Sequence, residues 1–242
     1  MSFLFVLAVG LVAGTISGIV GTGSSIMLMP VLVYQYGPKQ AVPIMAIAAV
    51  MANLSRILAW WREVDWCACA AYSVTGIPAA ALGARTLLVL PSQAVDISIG
   101  LFLIAMVPVR HWLARHDLKI TLWHLALGGA IIGYLTGIVV STGPLSVPLF
   151  LFYGLAKGAF LATEAASSLG LYLSKSVTFQ RFGALTSDIA LKGLIAGSSL
   201  MFGAFIAKRF VLRLDADVFR LVMDGIMLAA GLSMLWNATQ ST

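Results

Sequence analysis

Charge is scarce in this chain. Of 242 residues, fifteen are lysine or arginine and nine are aspartate or glutamate, together 10%. A soluble domain carries about 25%. So few charges cannot clothe a water-soluble globule of this length. That excludes an ordinary soluble enzyme. Cysteine is nearly absent: only Cys67 and Cys69 occur. Two thiols make no disulfide framework, and without a histidine near them in sequence they make no structural zinc site. Packing is their expected role. No basic stretch precedes the apolar run from Phe3, so the N-terminus reads as a retained helix and not a cleaved signal. Nucleotide motifs are missing too. Gly21-Thr22-Gly23 lacks the third glycine of a dinucleotide fingerprint, and no Gly-Lys-Ser/Thr follows it. No ATP-binding cassette is present. Any active transport would draw on a gradient or on another chain.

What is present is apolar. Hydrophobic residues make up 60% of the chain, and the mean hydropathy is +0.99. Apolar stretches run over 3–20, 26–36, 41–60, 66–88 and 95–109, then over 121–140, 144–155, 159–179, 188–207 and 217–236. The second member of each set is too short to cross a ~30 Å hydrocarbon core as a straight helix. The expected fold is an all-α polytopic membrane protein of two homologous repeats, each of about five helical segments. Residues 1–112 form the first repeat, 113–120 a cytoplasmic linker and 121–242 the second. The net charge of +6 fits basic cytoplasmic loops better than nucleic-acid binding.

The repeat shows in the residues. Gly14 and Gly18 lie 119 positions before Gly133 and Gly137, and Arg56 and Arg62 lie 119 before Lys175 and Arg181. Pro30 lies 118 before Pro148, and Gly83-Ala84 lies 120 before Gly203-Ala204. An odd number of crossings per half makes the second repeat inverted. With the 110–119 loop in the cytoplasm, eight basic residues fall inside and four outside, in keeping with the positive-inside rule. If the short segments dip in and return, the parity argument weakens.

Two glycine- and serine-rich breaks, within 18–30 and 137–148, each separate a long apolar segment from a short one. Unwound backbone at membrane depth is tolerated only inside protein or along a water-filled cavity. The free N–H groups that start the next helix attract anions. Gly23, Ser24 and Ser25 in the first break, and Ser141, Thr142 and Gly143 in the second, are therefore candidate substrate-binding residues. The stripe Gly10, Gly14, Gly18 reads instead as close helix packing.

The run at 18–30 resembles the repeated glycine-rich motif of the sulfite exporter TauE/SafE family, also called the toluenesulfonate uptake permease family. That motif has a glycine pair, a glycine triplet, a few aliphatic residues and a proline. The run at 137–148 resembles its second copy. The Gly-Ala pairs and the loop at Asp65-Trp66 are also similar to the family. Ser24 and Ser25 stand where the family has glycines, and the second motif is one residue shorter. The resemblance covers essentially the whole chain. It implies export or uptake of small sulfur oxyanions and organosulfonates, and of other organic anions in some members.

Intramembrane charge points to an anion on its own. Arg56 and Lys175 occupy matching places in their repeats; each costs about 2.5–3.5 kcal/mol at a helix centre. Such residues face cavities and mark substrate paths, or they snorkel to the interface. Asn53 and Ser55 beside Arg56, and Ser168 and Tyr172 beside Lys175, could add neutral hydrogen bonds. Glu164 shares a helical face with Ser168, Leu171 and Lys175. It reads as a lone buried carboxylate, able to carry a coupling proton or to serve another helix's donor. Asp188 and Asp224 lie nearer segment ends. Trp60, Trp61 and Trp66 read as interface anchors.

The expected function is secondary transport of a small anion, most favourably export of sulfonate, sulfite or a related sulfur oxyanion, by alternating access at a midplane site. A passive anion channel and a carboxylate transporter are the alternatives. A serine hydrolase would need a serine–histidine pair, and nothing links His124 to Ser24, so no enzyme is expected. No cofactor, metal or nucleic-acid partner is implied. The expected partners are the anion and the bilayer, in the cell membrane of a prokaryote. A homodimer is left open.

Overall fold

The computed structural model describes residues 2–20, 24–116, 119–139 and 142–210, with a few positions between 221 and 236. Among them all regular structure is helical. In chain order the helices are α1 (Ser2–Val20), α2 (Ser24–Tyr36), α3 (Pro38–Trp60), α4 (Trp66–Val89), α5 (Ser92–Ala114), α6 (Leu122–Ile138), α7 (Gly143–Phe152), α8 (Lys157–Arg181) and α9 (Ser187–Phe210). The stretches Lys39–Glu63 and Trp66–Val89 are long and apolar enough to cross a bilayer. Large apolar side chains stand exposed on outward faces, among them Val74 and Leu82 on α4, Leu127 and Ile131 on α6, and Leu173 and Val177 on α8. Lipid is the solvent that suits such faces.

Local chemistry sets the ends. Gly37 takes φ +75° after α2, and its N–H closes on the Val33 carbonyl at 2.8 Å. Pro38 then opens α3, the glycine-stop, proline-start order expected of adjoining helices. Asp65 caps α4 by accepting the Ala68 N–H at 3.0 Å. The two short segments appear as α2, 13 residues, and α7, 10 residues. They begin at Ser24 and Gly143, within the two breaks.

Positions without side chains fix which helices touch and which way they run. Gly129 lies against Tyr72, Gly133 against Gly76, and Gly137 against Ala80 and Gly83, so α4 and α6 run parallel. Gly10 lies against Ser199 and Gly14 against Leu200, so α1 and α9 run parallel. Gly193 meets Ile44 and Ile47 while Gly197 meets Ala48 and Met51, so α3 and α9 run parallel. The Asp65 N–H donates to Thr163 and the Ser174 hydroxyl to the Ile77 carbonyl, so α4 and α8 run parallel as well. By contrast Glu63 meets Gly158 while Arg56 meets Glu164, so α3 and α8 are antiparallel.

A Cβ on Gly133 would strike the Gly76 carbonyl, and one on Gly14 the backbone of Leu200. Neither neighbour is a flexible side-chain end. Gly14→Val and Gly133→Val are each expected to cost about 1–3 kcal/mol or more by overpacking. Thermal unfolding in detergent reads this; unshifted midpoints would mean that the helices can part without penalty.

Candidate functional site

The antiparallel crossing of α3 and α8 joins the only ion pair described between the two halves of the chain at depth. Arg56 Nη1 stands 2.9 Å from Glu164 Oε2, and the side chains are 11% and 4% exposed. Asn53 sets up the arginine from one turn away. Its Nδ2 donates to the Ala49 carbonyl at 2.8 Å, and its Oδ1 accepts from Arg56 Nη2. Glu164 is equally held. Its Oε1 accepts from Ser168 on the same helix at 2.8 Å and from Ser146 of α7 at 3.0 Å. Its Oε2 touches Arg56 off the line of an N–H, so it has charge contact but no aligned hydrogen bond.

Two tyrosines complete the group. Tyr172, one turn beyond Ser168, shares a side-chain hydrogen bond with Ser25 at the start of α2. Tyr72 of α4 is 1% exposed, and its hydroxyl has no hydrogen-bond partner among the described residues. A buried hydroxyl without a partner costs about 1–3 kcal/mol, and such a group in a native protein asks for a ligand or water.

The second break is organised by Lys175. The residue is fully buried, and its Nζ donates to the carbonyls of Thr136 at 2.6 Å and Val139 at 3.1 Å. The ammonium also lies 5.6 Å from the centre of the Phe179 ring. It thus closes the C-terminal end of α6, where a cation suits the helix dipole. The Thr136 hydroxyl bonds to that of Thr142, which leads into Gly143 and α7.

These contacts sort the residues read from the sequence. Arg56, Asn53, Ser25, Tyr172 and Glu164 come together, and Thr142, the residue before Gly143, meets Lys175's end of α6 through Thr136. Ser24 is buried at the start of α2. Gly23 and Ser141 lie outside the described residues. The contacts also sharpen readings that the sequence left open. Glu164 serves another helix's donor, one of the two roles read for it: it pairs with Arg56 of α3, 108 residues away in sequence. Ser168 bonds to Glu164 and Tyr172 to Ser25, so the neutral hydrogen bonds expected beside Lys175 lie at the Arg56–Glu164 end of α8. Lys175 does not snorkel, because the backbone end of α6 offers its ammonium carbonyls at depth. Asp188 pairs with Lys192 one turn on, and Asp224 lies 3.4 Å from His111. Tyr72 and Ser146 escaped sequence reasoning. Ser146 could have been found, since it sits between Pro144 and Pro148 of the second break; Tyr72 is one aromatic in an apolar run and carries no such signal.

Helical throughout its described regular structure, with exposed apolar flanks and a buried charged, hydroxyl-lined centre, the chain has the build of a helical membrane protein. The profile of the family described as Sulfite exporter TauE/SafE matches residues 6–234, and the chain belongs to that family. It is 29% identical over 191 residues, 72% of this chain and 73% of the other, to the protein of Sinorhizobium fredii described as probable membrane transporter protein y4hK. No solved structure matches it.

Proposed function

We propose that the protein is a multi-pass secondary transporter in a prokaryotic cell membrane, moving sulfonates, sulfite or related sulfur oxyanions by alternating access, with export the favoured direction. The Arg56–Glu164 centre is the observation that carries this. It is buried, it is built from both halves, and it offers a guanidinium flanked by hydroxyls. A planar guanidinium can hold two oxygens of a sulfonate at once. Arg56, Asn53, Ser25 and the Tyr72 and Tyr172 hydroxyls form the substrate-binding group. Ser24, Thr142 and Gly143 at the helix starts line the approach, Lys175 holds the second break in place, and Gly23 and Ser141 are kept as binding residues on the sequence alone.

Inverted repeats supply the two states. Under the 119–120 shift α1 corresponds to α6, α3 to α8 and α4 to α9. The parallel set α1, α3, α9 then exchanges with α4, α6, α8, and α3 opposes its own counterpart. The pairing α1 on α9 becomes α6 on α4, and α3 on α9 becomes α8 on α4. Such exchange is what a twofold axis in the membrane plane requires.

Counterflow tests the proposal. Proteoliposomes loaded with unlabelled thiosulfate or isethionate are expected to take up labelled anion faster than empty ones. Uptake without trans-acceleration would favour a channel, and trans-acceleration by small carboxylates alone would change the substrate class.

A further inference from the structure

We infer that Glu164 is the proton site of this transporter, and that one proton crosses with each anion, in whichever direction the anion gradient drives it, because the anion takes the carboxylate's place on Arg56. The inference rests on the transport reading above.

Charge bookkeeping at depth carries it. Arg56 and Glu164 cancel one another where neither is more than about a tenth exposed. Removing the partner of a buried charge costs about 3–5 kcal/mol. If an anion displaces Glu164 from Arg56, the centre holds two negative charges and one positive. A proton on Glu164 restores the balance. The guanidinium then pairs with the anion, and the neutral carboxyl keeps its hydroxyl neighbours. The reaction is a plain exchange: Glu164 gains one proton, Arg56 changes its counter-charge, and both steps reverse on the far side.

The oxygens are already distinct. Oε1 accepts two hydroxyl hydrogens, from Ser146 and Ser168, and has little room for a third. Oε2 has only the misaligned Arg56 contact, so it is the oxygen that takes the proton. Among the described residues, the titratable and charged groups facing Glu164 are Arg56 from α3, Tyr72 from α4 and Tyr172 on α8 itself. From α7 comes only the Ser146 hydroxyl. Lys175 lies about three turns along α8 and is turned to the end of α6. Glu164 is therefore the one carboxylate described in this group. The pair also bridges the halves through α3 and α8, so breaking it couples anion binding to movement between them.

Isethionate is the probe, because a sulfonate stays ionised across the pH range and brings no proton of its own. Purified full-length protein in vesicles with a trapped pH dye is given an inward isethionate gradient. Wild type is expected to acidify the lumen by about one proton per anion. Its anion affinity should fall as pH rises. Glu164→Gln mimics the protonated carboxyl; it should bind isethionate at high pH at least ~10-fold more tightly than wild type and move no protons. Net uptake of isethionate by wild type with no lumenal pH change would overturn the proton role and leave the transport reading intact. Proton movement persisting in Glu164→Gln would do the same. If wild type moves neither isethionate nor thiosulfate under any gradient, the transport reading fails and this inference falls with it. The wild-type stoichiometry decides the matter even where the variant does not fold.

Discussion

Arg56→Gln should lose both anion affinity and stability, and a second change, Glu164→Gln, should return only the stability. Losing a charged hydrogen bond to the anion costs about 1.5–3 kcal/mol, roughly 10- to 100-fold in affinity. The single change also strands Glu164 as a buried charge, at a further cost to folding of about 3–5 kcal/mol. Ser146 and Ser168 hold one of its oxygens, which softens that cost without cancelling it. In the double variant the centre is neutral again, with two amides in place of two charges. Its thermal midpoint should approach that of wild type while its affinity stays low. If Arg56 only clamped α3 to α8, the double variant would recover anion binding together with its fold. Binding and thermal unfolding measured on the same three proteins separate the two cases.

Much of this centre was legible in the sequence, but in pieces. Arg56 stood out because a guanidinium at membrane depth needs a reason, and Glu164 stood out for the same one. Their pairing did not, because it depends on the register of two antiparallel helices from different halves. That register comes from glycine contacts such as Gly158 on Glu63, which no local pattern encodes. The breaks were legible at residue level, since glycine and proline act on the chain where they stand; α2 and α7 begin at Ser24 and Gly143. The partners of Lys175 were hidden for the opposite reason. They are backbone carbonyls, which every residue has, and only the course of α6 presents them to an ammonium. Tyr72 was invisible because its meaning lies in a missing partner.

Lys175 carries the other large effect, and it separates the roles of two cations that the repeat makes equivalent. Lys175→Met keeps the length of the side chain and removes the charge. The carbonyls of Thr136 and Val139 would lose the donor that meets them at 2.6 and 3.1 Å. Leaving each acceptor buried without it costs about 1–3 kcal/mol, and the favourable charge at the end of α6 is lost as well. The expected stability loss is about 2–6 kcal/mol, read as a lowered thermal midpoint. Anion affinity should change by less than ~3-fold, because the ammonium points at backbone and at the Phe179 ring. Lys175→Arg should not rescue the fold, since the site is fully buried and a planar guanidinium does not reproduce an ammonium's two bonds to the end of α6. Transport should slow in Lys175→Met even where binding survives. The end of α6 holds Thr142 through Thr136, and Thr142 sets the start of α7, which carries Ser146 to Glu164. A folded Lys175→Met protein with an unshifted midpoint and tenfold weaker binding would put the ammonium on the anion beside Arg56 instead.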